Sequence, residues 1–182
     1  MKQTSLFTIV AVTIFMMACH KPEPRRPVSF VSGSYLDESL KHSKALLKAE
    51  EEAIFAIIKE DSLNTYFNSS DGLWYHYITK NTTDTLRPQF GDQVNFTYNL
   101  RTFAEDTIYS MEEVGMQTYR MDQQRLMTGL REGLKIMKPK EVVTFLIPSS
   151  RAYGFYGDTK KIGSDVPIKA TIQLNSIKQI QK

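Results

Sequence analysis

Few side chains in this chain have the types and spacing that covalent or metal chemistry needs. The histidines, His20, His42 and His76, are widely separated, and none has a second ligand at the spacing of a metal site. Ser149 and Ser150 have neither a Gly-x-Ser-x-Gly turn nor a nearby histidine, which argues against a hydrolase. There is no glycine-rich phosphate loop. We therefore expect no metal and no cofactor.

One tyrosine, in contrast, has a distinctive position. Apolar residues alternate along the segment 142–147, which predicts a strand with one face in a core. Pro148 lacks a backbone donor and should end that strand. The loop that follows carries Tyr153 to a point just before Gly154. The predicted strand therefore sets the position of a single phenol.

A second segment has the same design. Pro167 precedes an alternating stretch in which Ala170, Ile172 and Leu174 share one side. This stretch predicts another strand. The two strands and their prolines would frame the loop that holds Tyr153.

The rest of the predicted domain consists of shorter strands and one helix. Alternation predicts strands at residues 73–78, 94–98, 106–110 and 117–121. Asp122 should cap a helix that runs to Met137, before Pro139. Gly129 and Gly133 each cost about 1 kcal/mol in a helix relative to alanine, so we expect another element to approach this helix closely.

A long helix is predicted ahead of this domain, within a helical extension at residues 35–68. No glycine or proline occurs from Tyr35 to Glu60, and a narrow apolar stripe includes Leu47 and Ile54. The stripe could pack on the chain's own domain or pair with a second copy as a homodimer. The pattern does not choose between them.

The N-terminus predicts export. An apolar run follows Lys2 and ends at Ala18, as in a signal peptide at residues 1–18. Cys19, the only cysteine, follows directly, and the arrangement resembles a bacterial lipobox in which this cysteine is acylated. The proline-containing residues 19–34 predict a disordered tether.

Composition limits the function classes. The chain has 182 residues, 41% of them hydrophobic, which allows one domain of ordinary size with appendages. Its formal net charge is +3, without the clustered basic face that nucleic-acid binding requires. We expect no nucleic-acid partner.

Several short motifs together resemble those of the FKBP-type peptidyl-prolyl isomerases. They occur in the family's order between residues 72 and 182, and they are Gly91-Asp92-Gln93-Val94, Tyr98, Gly129-Leu130-Arg131-Glu132-Gly133-Leu134, Ile147-Pro148, Ala152-Tyr153-Gly154, Val166-Pro167 and Ala170-Thr171-Ile172. With the lipobox and the long helix, the chain resembles the FKBP-type lipoproteins linked to gliding motility in the Bacteroidetes.

The resemblance implies an α+β fold, in which a twisted antiparallel sheet curls around one short helix and follows a long N-terminal helix. It implies a peptidyl-prolyl isomerase that stabilises a twisted amide without covalent chemistry. Tyr153 would donate its hydroxyl to the substrate carbonyl. The walls and floor of the proline pocket would be Tyr98, Tyr109, Leu126, Met127, Leu130, Val166 and Leu174.

Three positions depart from the family pattern. Leu130 replaces the usual tryptophan floor, Leu174 replaces a phenylalanine, and Ser110 stands where an aspartate is common. These changes leave two functions open: an isomerase that helps exported envelope proteins fold, or a catalytically weak or inactive FKBP-fold lipoprotein that serves as a binding module or scaffold in an envelope assembly such as that of gliding motility.

The expected partners follow from these resemblances. They are proline-containing exported polypeptides and a membrane reached through a lipid on Cys19. The expected location is the envelope of a Gram-negative bacterium, at the outer membrane facing the periplasm.

Overall fold

The computed structural model describes residues 32–180, with side chains from Asp37 onward. The predicted signal peptide, Cys19 and the tether as far as residue 31 lie outside the described residues. Residues 41–180 belong to one compact unit, and the preceding helical residues belong to another. Among the residues described, no helix combines the length and apolar character needed to cross a bilayer.

Among the described residues the domain contains one seven-stranded antiparallel sheet, whose strands are β1 (Phe67–Asn68), β2 (Trp74–Thr79), β3 (Gln93–Arg101), β4 (Thr107–Tyr109), β5 (Gln117–Arg120), β6 (Val142–Ile147) and β7 (Ile168–Lys178). Their order in the sheet is β1-β2-β6-β7-β3-β4, with β5 also paired to β3. The expected antiparallel sheet is confirmed. β7, the last strand in the chain, lies between β6 and β3.

Three α-helices accompany the sheet among the described residues. They are α1 (Ser32–Glu60), α2 (Met111–Val114) and α3 (Thr128–Ile136). Leu130 and Leu134 of α3 are fully buried in one core with alternate strand residues such as Val143, Phe145 and Ile172. The α+β class with one short helix against the sheet is confirmed.

Close packing explains the two glycines of α3. A Cβ at Gly129 would lie 2.5 Å from Cγ2 of Ile147, and one at Gly133 would lie 3.0 Å from Cζ of Phe145. Both neighbours belong to β6. The expected close approach to this helix is confirmed.

The start of α3 differs from the sequence prediction. The helix begins at Thr128, and Asp122 has a φ of +59°, outside the helical region. Its carboxylate instead lies 3.1 Å from Nζ of Lys135 and 3.6 Å from Nε of Arg131. The prediction of Asp122 as the cap was wrong, because the side chain meets the helix from an intervening turn.

The C-terminal half of α1 packs on the chain's own domain. Ile54 is 1% exposed, and the ring of Phe55 meets that of Trp74 edge to face at 5.4 Å between centroids. Trp74 points away from the core side of β2, so this half of α1 covers the opposite face of the sheet from α3. Beyond Glu60 the chain leaves the helix, and β1 joins the sheet before residue 72.

Candidate active site

Tyr153 stands at the end of a short loop that contains a hydrogen-bonded turn. β6 ends at Ile147, and Pro148 begins the 3-10 turn Ser149–Arg151. The amide of Ala152 then donates to the carbonyls of Pro148 and Ser149, both at 3.0 Å. Gly154 takes a φ of +57° that other residues rarely adopt. The predicted sequence of strand, proline and tyrosine-bearing loop is therefore present.

Three tyrosines from separate elements meet around a cavity of about 460 Å³. Tyr98 comes from β3, Tyr109 from β4, and Tyr153 from the loop after β6. The remaining lining residues are Leu100, Glu113, Val114, Gln117, Asp158 and Lys160. β7 pairs with β3, which carries Tyr98, and with β6, which leads to the loop of Tyr153, and so it holds the two sides of the cavity together.

The hydroxyl of Tyr153 is protonated and free to donate. Burial, and then the nearby Tyr98, Asp158 and Tyr109, raise the pKa of Tyr153 to about 12. Within the described chain this hydroxyl has no hydrogen-bond partner. It is therefore available to an acceptor that enters the cavity.

Asp158 supplies a carboxylate that the sequence interpretation missed. It accepts hydrogen bonds from the Tyr109 hydroxyl at 2.5 Å and from the amides of Lys160 and Ile162, both at 2.8 Å. Burial alone would raise the pKa of Asp158, but these bonds together hold it below its usual value. Asp158 thus fixes both the loop and Tyr109. The only local signal was an aspartate just after Gly157, a pattern typical of side-chain-capped turns.

Ser110, where the family commonly has an acid, has a local role. Its Oγ accepts a hydrogen bond from the amide of Glu113 at 3.1 Å and so caps α2. The carboxylate that accepts the hydrogen bond of Tyr109 comes from Asp158, on a different loop.

A second cavity of about 700 Å³ adjoins the first. It shares Tyr153 and Asp158 with the tyrosine cavity and is also lined by Leu126 and Met127. The other residues on its surface are Gln124, Arg125, Arg131, Gly157 and Thr159. Five of the eight predicted pocket residues thus lie on these two neighbouring cavities.

The other three lie beneath or beside them. Leu130 and Leu174 are 0% exposed and belong to the core, and Val166 is half-buried against it. None of the three lines either cavity. Their roles as floor and wall stay predictions.

No group of three or more metal-binding side chains exists among residues that the structure describes. The cavities combine apolar, aromatic and charged side chains, and the hydroxyls of Tyr98 and Tyr153 have no hydrogen-bond partner among the described residues. Such a site can bind an apolar ring and hydrogen-bond an adjacent carbonyl.

An antiparallel sheet over one short helix, with a tyrosine-lined cavity beside the loop after β6, defines the FKBP class of folds. The model of the family described as FKBP-type peptidyl-prolyl cis-trans isomerase matches residues 85–175, half of the chain. The chain belongs to this family and is a peptidyl-prolyl cis-trans isomerase.

Two solved structures show the same fold. A peptidyl-prolyl cis-trans isomerase from Pseudomonas syringae pv. tomato is 24% identical, with a TM-score of 0.59, over 75% of this chain and 96% of its own. FkpA from Escherichia coli is 21% identical, also with a TM-score of 0.59, over 82% of this chain and 75% of its own. A search of curated proteins by sequence gives no match.

Proposed function

We propose that catalysis takes place in the cavity formed by Tyr98, Tyr109 and Tyr153. The barrier to rotation about a peptide bond is about 18–20 kcal/mol because the amide is conjugated. A site that binds the twisted amide more tightly than the planar one lowers this barrier without a covalent step. The observation that carries the proposal is the unpartnered, protonated hydroxyl of Tyr153 at the cavity.

The substrates in this proposal are proline-containing polypeptides. Phe155 and Tyr156, directly after Tyr153, are 72% and 85% exposed, and their ring centroids are 5.4 Å apart. Their turn is tied down by the amide of Asp165, which donates to the carbonyl of Gly154 at 2.9 Å. Exposed aromatic rings directly after Tyr153 suit the apolar residues that an unfolded chain presents around a proline.

We also propose a cellular setting. The signal peptide and Cys19 support a lipid-anchored folding helper for exported proteins in a Gram-negative envelope, at the outer membrane facing the periplasm. The lipobox followed by a long helix supports a gliding-motility assembly as its context. Leu47 and Phe55 of α1, 45% and 53% exposed, support a homodimer through residues 35–60.

The test of catalysis is exchange NMR on a proline tetrapeptide with the full chain. The wild-type protein should produce exchange between the cis and trans peptide. Tyr153→Phe keeps the ring and removes one hydrogen bond worth about 1 kcal/mol, so kcat/KM should fall about fivefold. Tyr66→Phe, which removes a phenol that bonds Asp61 and lines neither cavity, is the matched control. Equal activity of all three proteins would remove Tyr153 from the mechanism.

The cellular proposal has its own measurement. Expression in a Gram-negative host with a radiolabelled fatty acid should label the protein, and Cys19→Ser should abolish the label. A labelled Cys19→Ser protein would contradict the lipid anchor.

A further inference from the structure

A glutamate of α1 contacts the loop that carries Tyr153. Glu50 is 5% exposed, and its Oε2 accepts a hydrogen bond from the amide of Ser149 at 3.1 Å. Ser149, itself 2% exposed, is the first residue of the 3-10 turn that leads to Tyr153. The two partners are 99 residues apart in the sequence.

This contact satisfies a backbone donor that the turn cannot satisfy itself. The first amides of a helical turn have no acceptor within it, and a buried amide without one is costly. The carbonyls of Pro148 and Ser149 bond the amides of Arg151 and Ala152, while the amide of Ser149 points back to α1. Glu50 therefore caps this turn from outside.

The same carboxylate is poorly suited to a purely stabilising role. Its other oxygen, Oε1, is buried without a hydrogen-bond partner in the described structure. An incompletely bonded buried acid often contributes less stability than an apolar side chain of similar size. Packing nearby is supplied by other residues, since Ile54 is fully buried and Phe55 meets Trp74.

We propose that Glu50 is a positioning residue for the isomerase reaction. By holding the amide of Ser149, it fixes the turn that presents Tyr153 to the cavity, so the docked half of α1 is a working part of the catalytic domain. This inference rests on the proposed role of Tyr153.

Two substitutions of similar length separate positioning from packing. Glu50→Gln keeps an oxygen acceptor for the amide of Ser149, whereas Glu50→Met keeps the length and the helix propensity without the acceptor. Glu52→Ala is the control on the same helix, because Glu52 is exposed and its carboxylate lies 3.8 Å from Nζ of the similarly exposed Lys48.

The assay is kcat/KM on the proline tetrapeptide for the full chain, corrected for the folded fraction found by thermal unfolding. Glu50→Gln and Glu52→Ala should stay within about twofold of wild type. Glu50→Met should lose about threefold to fivefold, because displacing the Tyr153 hydroxyl costs at most what removing it in Tyr153→Phe costs. The fall in the thermal midpoint of Glu50→Met should be too small to explain its loss of activity. Amide exchange at Ala152 and Tyr153 should become faster in Glu50→Met alone.

A second variant removes the donor instead of the acceptor. Pro148 has a ψ of 151°, the conformation that precedes a proline, so Ser149→Pro fits the backbone and deletes the amide hydrogen. It should reproduce the loss of activity. Wild-type activity in both Glu50→Met and Ser149→Pro would overturn the proposal while leaving the role of Tyr153 intact. An unchanged Tyr153→Phe protein would instead remove the proposed function on which it rests.

Discussion

Replacing Gly129 by alanine tests the close contact between α3 and β6. The added Cβ would lie 2.5 Å from Cγ2, 2.9 Å from Cδ1 and 3.2 Å from Cγ1 of Ile147. Ile147 is 0% exposed, so its side chain has no solvent-filled space in which to move. Alanine gains about 1 kcal/mol of helix propensity over glycine, but overpacking a core costs about 1–3 kcal/mol. Because two of these distances are below 3.0 Å, we expect a net loss of about 1–2 kcal/mol.

Gly133→Ala is the matched control on the same helix. Its Cβ would meet only the edge of the Phe145 ring, at 3.0–3.2 Å, so the neighbour must give by a few tenths of an ångström. The gain in helix propensity is the same at both positions. We therefore expect Gly133→Ala to change the free energy of unfolding by less than about 1 kcal/mol.

Urea unfolding followed by circular dichroism measures both variants, with the midpoint reporting stability if the slope is unchanged. Removing the clashing atoms with Ile147→Ala should reverse the sign, so that Gly129→Ala stabilises the double variant by up to about 1 kcal/mol. The steric argument is refuted if Gly129→Ala proves as stable as Gly133→Ala, or if it destabilises the Ile147→Ala background equally.

Three further predictions concern charge and surface. The lowered pKa of Asp158 adds stability that is present above its unfolded pKa of about 3.9 and is lost as the pH falls through the folded value. Asp158→Asn should therefore be less stable at pH 7 and similar at pH 2, and an equal deficit at both would exclude this linkage. Burial lowers the pKa of His76, so stability should decline as the pH falls below about 6.5, and His76→Gln should flatten that slope between pH 7.5 and 5. The double variant Phe155→Ser/Tyr156→Ser should lose about tenfold more activity on the proline-limited refolding of an unfolded protein than on a tetrapeptide, since only the longer substrate reaches these rings. Equal losses of activity on the two substrates would contradict the role of the rings.

The main strands were predictable because one face of each is buried and apolar while the other is more polar. Alternation in β6 and β7 reflects a core that accepts every second residue, and both segments form strands close to the predicted positions. The start of α3 was not predictable in the same way. Aspartate is a residue type that commonly caps helices, but Asp122 has the backbone conformation of a turn. The local pattern also contained no information on strand order. That order depends on pairings such as Phe96 with Leu174, which only the folded sheet brings together.

The site was predictable where a residue belongs to a motif. The resemblance identified Tyr98, Tyr109 and Tyr153, and the structure brings all three to one cavity. Asp158 was missed because its significance depends on Tyr109, which is 49 residues away. Glu50 was missed for the same reason. A glutamate in an amphipathic helix is expected to face solvent. The buried partner of Glu50, the amide of Ser149, is brought to it only when the loop after β6 has folded.

The position of β7 at the centre of the sheet has a consequence for biogenesis. This strand bonds β3 along nine residues and β6 along six, and it follows both of them in the chain. A nascent chain that ends before residue 168 has no bridge between the Tyr98 and Tyr153 halves of its cavity. Long-range pairings of this kind form slowly, so the native sheet cannot be completed before residues 168–178 are available. The isomerase domain therefore stays incompletely folded until its own β7 has been synthesised.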